Sequence, residues 1–258
     1  MQLIPLPLAP SRPAPRAALD TLTGFIGTVG ADDFGQRALA QLNQLLLVSS
    51  WSVFRLHDDR PPSMPASGTY GLPDHTGDSW KTYRESLYQR DQTFVAARDQ
   101  ARHTPEMLVH WNAREIPRPH RERIYTRAGL RERLSLIGRD SEPGLLSVNL
   151  YRHEGQRPFS DDEIDAVGSA TSLLLACVKR HIALSSVATQ TRSALDALTR
   201  REREVCERLL KGLTYDGIAA DMGVSAGTVK TYRNRAFERL GIHHRNQLFA
   251  LVSRPGAV

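Results

Sequence analysis

Near its end, this 258-residue chain carries a tightly spaced run of helix start and stop signals. Thr199 followed by Glu202 is a capping box, in which a hydroxyl and a carboxylate satisfy free backbone N–H groups at a helix start. Val205, Leu209 and Leu210 continue that helix, and Gly212 ends it. Thr214 then caps a short helix over Tyr215–Met222, with Asp216 in its first turn. Gly223 and Val224 make a tight turn, and Ser225 caps a third helix that runs to Leu240 and stops at Gly241. Helix, three-residue turn, helix is the arrangement of a helix-turn-helix.

The faces of the third helix agree with that assignment. At about 100° per residue, Val229, Tyr232, Ala236 and Leu240 fall on one side. Gly227, Lys230, Thr231, Asn234, Arg235 and Glu238 fall on the other. A recognition helix presents its N-terminal residues to the major groove. There Lys230 can donate to guanine, Asn234 can pair with adenine, and Thr231 offers a methyl and a hydroxyl. Ser225 and Thr228 sit where a helix N-terminus holds a phosphate, and Arg233 and Arg245 flank it. The alternative is a small dimerisation bundle with a solvated charged face. Charge favours the DNA reading. The chain is +6 overall, and residues 193–258 hold 11 basic against 7 acidic residues, a net +4. The remaining 23 against 21 leave +2 on the first 192 residues.

Leu198–Val205, Gly212–Thr214, Ile218 with Ala219, Gly223–Ser225, Thr228–Lys230 and Arg239–Gly241 resemble the LuxR-type helix-turn-helix. The resemblance covers about residues 193–255. It implies that Lys230, Thr231 and Asn234 face the bases, and that a fourth helix, roughly Arg245–Val252, serves a dimer contact. Tyr215 and Asp216 depart from the usual pattern there, and Tyr232 stands where His is common.

Upstream, five prolines in residues 1–17 read as a loose, disordered arm. Helices are expected over Ala18–Val29 and Asp32–Leu46, and a strand over Ser49–His57. Asp58–Asp78 reads as a long loop with a short strand near Tyr70. Asp78–Arg98 is helical with a break near Asp91, and Glu106–Trp111 is a strand. Pro119–Ala128 is a helix stopped by Gly129. Arg131–Arg139 and Gly144–His153 pair around a turn. Ser160 opens a long helix to about Ala194. The expected fold is α+β: an N-terminal α/β/α sandwich over 18–184, a linker over 185–196, and an all-α four-helix helix-turn-helix domain over 197–258.

The N-terminal part has a weaker resemblance, to the autoinducer-binding domain, an α/β/α sandwich related to GAF and PAS sensors. Trp80, Tyr83, Tyr88, Asp91, Trp111 and the stretch Ala128–Arg131 follow that family's order, and Phe159–Ile164 resembles the entry to the last helix of GAF-like sensors. The resemblance implies that the Trp, Tyr and Asp positions hold an acyl-homoserine lactone. Trp80 and Tyr83 are one residue closer than the family spacing, and Gln92 replaces a proline, which favours a divergent sensor. Trp51, Phe54, Tyr70, Trp80, Tyr83, Tyr88, Phe94, Trp111 and Tyr125 are placed on one side of the sheet, as core or as a pocket for an amphipathic molecule. Asp91 is either a ligand acceptor or a helix cap paired with an arginine.

The stripe Ile164, Val167, Thr171, Leu174, Val178 and Ile182 packs on its own sheet or on a partner helix, and dimerisation is the favoured reading. Cys177 and Cys206 read as core residues, and neither a disulfide framework nor a zinc set is present. There is no nucleophile elbow or phosphate loop, so no enzyme activity and no cofactor are expected. No apolar run suits a bilayer span or a signal peptide. The expectation is a cytoplasmic regulator that binds a pseudo-palindromic double-stranded DNA operator as a homodimer, controlled by a small amphipathic ligand, with no membrane contact. Two alternatives stand: a ligand-independent interaction platform, and a true lactone receptor.

Overall fold

Alternating inward and outward side chains organise six strands into one antiparallel sheet, in the order β1-β4-β5-β6-β2-β3. The computed structural model describes residues 1–6 and 16–253. It separates into two units, Met1–His181 and Ile182–Val258. The strands are β1 (Gln2–Pro5), β2 (Ser50–His57), β3 (Ser63–Thr69), β4 (Glu106–Asn112), β5 (Leu130–Arg139) and β6 (Gly144–His153). Helices α1 (Arg16–Ile26) and α2 (Phe34–Leu42) precede β2. Helices α3 (Thr76–Ser86) and α4 (Gln92–Gln100) follow β3, with a 3-10 turn at Tyr88–Arg90 between them. Between β4 and β5 lie α5 (Arg118–His120), a π-helical turn (Arg121–Tyr125) and α6 (Thr126–Ala128).

One face of the sheet carries Trp51, whose ring lies edge-on to Phe25 at 6.1 Å and tilted on Phe34 at 5.6 Å. Its indole N–H donates to the Gly35 carbonyl at 2.7 Å. A Cβ on Gly35 would sit 1.9 Å from the Ser67 carbonyl oxygen, so only glycine lets α2 approach β3 this closely. The long helix α7 (Asp161–Asp196) packs on this same face. Leu175 on it reaches within 2.9 Å of where a side chain on Gly138 would begin. The other face packs Phe54, Leu56, Val109, Trp111 and Ile137 against Tyr83, Phe94 and Tyr125. Helical layers on both faces of one sheet make an α/β/α sandwich.

Four expectations change here. The proline-rich start is not all loose: Gln2–Pro5 is the edge strand, paired with His110 to Met107. An edge strand tolerates proline because its outer N–H groups need no partner, and Pro5 closes this one. The rest of that arm, residues 7–15, lies outside the described residues. The strand placed near Tyr70 lies earlier, at Ser63–Thr69, and Tyr70 itself is exposed. Trp51 is on the opposite face from Phe54 and Trp80, as the period of two requires for positions 51 and 54. The stripe on α7 packs on its own sheet: Ile164, Val167, Thr171, Leu174 and Val178 are buried within their unit. That leaves no room for a partner helix on those side chains.

By length and composition, Asp161–Ser186 of α7 is apolar enough to cross a bilayer. Three acidic residues occupy its first turn, and Ile164, Val167, Leu174, Leu175 and Val178 are buried, while Leu173 and Leu184 are exposed. The residues expected to form a linker, 185–196, are helical and continue α7 to Asp196.

The second unit contains α8 (Arg200–Leu210), α9 (Tyr215–Met222), α10 (Ala226–Arg239) and α11 (Arg245–Ser253) around a core of Val205, Leu209, Ile218, Val229, Phe237 and Leu248. Glu202 accepts the Thr199 backbone N–H at 2.9 Å, one arm of the expected capping box. Thr214 accepts from the Gly217 N–H at 3.2 Å at the start of α9. Gly223 ends α9 in the left-handed region, at φ +65°.

Candidate functional site

Helices α9 and α10 are joined by Gly223, Val224 and Ser225, and Ser225 caps α10 by accepting from the Thr228 N–H at 3.1 Å. Val229, Ala236 and Phe237 turn inward. Lys230, Thr231, Asn234 and Arg235 are exposed on the opposite face. The Thr231 hydroxyl donates to the Gly227 carbonyl at 3.1 Å, which leaves its methyl and an oxygen lone pair outward. Arg233 lies along the rings of Tyr215, at 5.6 Å, and Phe237, at 5.3 Å. Arg245 donates to the Leu209 carbonyl at 2.9 Å and lies 5.7 Å from the Phe249 ring. The result is a rigid helix with polar groups on an exposed face that begins at its positive end, the geometry that reads base edges in a major groove.

The first unit holds a cavity of about 60 Å³ between the sheet and α3, α5, the π-helical turn and α6. It is built on one row of cross-strand partners, Trp111 beside Arg133, Arg133 beside Tyr151, and Tyr151 beside Ser50. Phe54, Trp80 and Tyr83 form an aromatic wall, with ring centroids 5.0 to 5.9 Å apart. Behind that wall, Arg133 pairs with Asp91 at 3.4 Å, both almost fully buried, and also donates to the Thr93 hydroxyl. Asp91 accepts the Thr93 N–H at 3.0 Å and the Tyr83 hydroxyl at 3.3 Å. Burial opposes its charge, but Arg133, His120 and the Thr93 bonds outweigh this and hold its carboxyl below the ordinary range. Burial pushes the Tyr83 phenol up, and the Asp91 charge adds to this. Burial, aided by Arg133 and opposed by Asp91, lowers His120 to about 4, so its imidazole is neutral at pH 7. Two buried groups lining the cavity have no hydrogen-bond partner: the Tyr125 hydroxyl and the Arg133 Nε.

The profile described as bacterial regulatory proteins, luxR family, matches residues 196–252. The spore germination protein GerE of Bacillus subtilis is 37% identical over 59 residues, which cover 80% of GerE and 23% of this chain. The chain belongs to the luxR family. An HTH-type transcriptional regulator from the exeN 3′ region of Aeromonas salmonicida is 28% identical over 151 residues, 77% of that relative and 51% of this chain. Among solved structures, SdiA of Escherichia coli aligns with 92% of this chain and 95% of its own at 14% identity, with a TM-score of 0.44. As a luxR-family transcription regulator, the chain carries its DNA-binding helix-turn-helix in the second unit.

Of the ligand candidates read from the sequence of this luxR-family chain, Trp80 and Tyr83 line the cavity. Trp111 stands behind it and donates to the Thr93 hydroxyl at 2.8 Å. Tyr88 lines a separate surface groove near Arg98 and Asp59. Asp91 is the cap of α4 and the partner of Arg133, the second of the two readings open to it. Arg133, His120, Tyr125, Tyr151 and Ser52 line the cavity without having been singled out. Little in the sequence signalled Arg133, which is the third charged residue of the run Arg131, Glu132 and Arg133 near the start of β5.

Proposed function

We propose that the first unit binds a small amphipathic molecule, and that binding shifts the population of a homodimer competent to hold a pseudo-palindromic operator. The observation that carries this reading is the cavity, with its aromatic wall and two buried donors without partners. Such groups in a native interior point to a missing ligand or water. In this reading residues 18–184 form the sensor, 185–196 connect it, and 197–258 read DNA. Lys230, Thr231 and Asn234 contact bases. Ser225 and Thr228 hold a phosphate at the start of α10, with Arg233 and Arg245 as braced flanking contacts. A protein of this kind works beside the chromosome in the bacterial cytoplasm and is not expected to catalyse a reaction.

The test is mass spectrometry of the protein purified from its own source, combined with footprinting on DNA selected from a random pool. The reading expects a stoichiometric small molecule and two protected half-sites, each about one helical turn from the next. A protein that carries no molecule, protects the same DNA regardless of added compounds, and shows no thermal shift with any of them would be a ligand-independent platform.

A further inference from the structure

The polarity of the cavity differs from what an acyl-homoserine-lactone subsite requires. Asp91 stands outside the lining of the cavity, and its carboxylate already accepts from the Thr93 N–H at one oxygen and from Arg133 and Tyr83 at the other. The hydroxyls of Ser52 and Ser50 are paired with Tyr151 at 3.2 Å and His153 at 2.8 Å. The two buried groups left over, Tyr125 Oη and Arg133 Nε, both have a hydrogen to give. The charge on Arg133 is already matched by Asp91, with both side chains almost fully buried. A bound carboxylate would therefore add an unmatched charge to that interior. Phe54, Met64, Ile124 and Leu130 supply much of the remaining surface, with Thr69, His75, Thr76, Ser79 and the neutral His120 as further polar lining.

We infer that the cavity takes an uncharged, mainly apolar molecule whose polar end is a carbonyl acceptor, held by Tyr125 and Arg133 rather than by Asp91. The inference rests on the sensing reading above. A cavity of about 60 Å³ is smaller than the roughly 150 Å³ that admits benzene. A ligand larger than a few waters thus requires Trp80, half-buried on α3, to move aside.

Calorimetry on the full-length protein tests this with three probes of similar size: 2-heptanone, heptanoate and N-butanoyl-homoserine lactone. The ketone is expected to bind most tightly. Heptanoate adds a charge, and the lactone adds an amide N–H for which the cavity lining offers no Asp91 oxygen. Tyr125→Phe keeps the ring and removes the donor, and is expected to weaken the ketone about tenfold. The unliganded variant should be as stable as the parent or more so, since a buried hydroxyl without a partner has been removed. If heptanoate or the lactone binds at least as tightly as the ketone, the ligand class is wrong while sensing stands. Ketone affinity unchanged by Tyr125→Phe overturns the assigned contact. If none of the three binds, and the protein from its own source carries no molecule, both this inference and the sensing reading fall.

Discussion

The two units place their functional chemistry at opposite extremes of exposure. In the helix-turn-helix, the groups proposed to meet DNA are exposed, and the fold is held by a separate set: Val229, Ala236 and Phe237 beneath them. In the sheet unit, the groups that line the cavity are the interior, with Arg133, Tyr125 and Tyr83 almost fully buried. Function and stability are therefore separable in the second unit and coupled in the first. A substitution on the recognition face should change DNA affinity and leave folding alone. A substitution in the cavity should change both.

The largest effect that separates the units is expected at Arg133. Its removal leaves the Asp91 carboxylate buried without a counter-charge, and breaking one side of such a pair costs about 3–5 kcal/mol. Arg133→Met, followed by urea denaturation of the first-unit transition, should show a loss of that size. A loss under about 1 kcal/mol would mean that water reaches Asp91, and the contrast between the units would fail.

The second effect is a pH dependence of the first unit that arises from His120. His120 is neutral in the fold down to about pH 4, whereas the unfolded chain takes up its proton near 6.5. Above pH 6.5 both states are neutral, and the group contributes no slope. Between about 6.5 and 4 only the unfolded state binds the proton, so stability falls as pH falls, by up to about 3 kcal/mol, and the loss is complete below about 4. His120→Leu should reduce the slope in that window in a comparison of denaturation midpoints at pH 7 and pH 4.5, leaving the part due to His57, His153 and His181, which burial also lowers. An unchanged slope in the variant would assign the pH response to other groups.

Next in size are the exposed residues proposed to read bases. Lys230→Ala and Asn234→Ala are each expected to cost about 1–3 kcal/mol of specific DNA binding in a salt-controlled gel-shift assay. Thermal stability should stay within about 0.5 kcal/mol of the parent, because both side chains are exposed. A fall in stability comparable to the fall in affinity would erase the proposed separation.

The same contrast explains what could be read from the chain before its structure. The helix-turn-helix was legible because its rules are local: caps at Thr199, Thr214 and Ser225 and stops at Gly212, Gly223 and Gly241 lie within a few residues of what they control. The sandwich was legible as elements, since the strands over Ser50–His57 and Gly144–His153 announce themselves by composition. Its cavity was not, because that depends on register. Arg133 faces the cavity, while its neighbour Glu132 faces the other way and accepts the Phe159 N–H at 2.9 Å, just before α7. On β6, Tyr151 faces the cavity, and Arg152 turns away to the Leu47, Arg157 and Pro158 carbonyls and Glu163. Which member of each polar pair points which way is set by pairing across strands about 20 residues apart, and no local pattern reports it. This alternation also puts the cavity one residue away from the contacts that hold the start of α7.

The smallest expected effect tests the one place where the second unit should break its own rule. Ser225 is both an exposed phosphate candidate and the cap of α10, accepting the Thr228 N–H at 3.1 Å. Replacing a capping serine by alanine costs about 1 kcal/mol, and glycine recovers most of that. Ser225→Ala should thus lower the stability of the second unit and weaken DNA binding together. Ser225→Gly should restore stability but not the lost phosphate contact. Denaturation and gel-shift measurements on the two variants separate the roles. If glycine restores both, Ser225 acts on DNA only through the helix it starts, and the reading face then begins at Thr228 and Lys230. If alanine changes neither, the contact at 3.1 Å carries no weight in solution, and the start of α10 is held by the packing of Val229 alone.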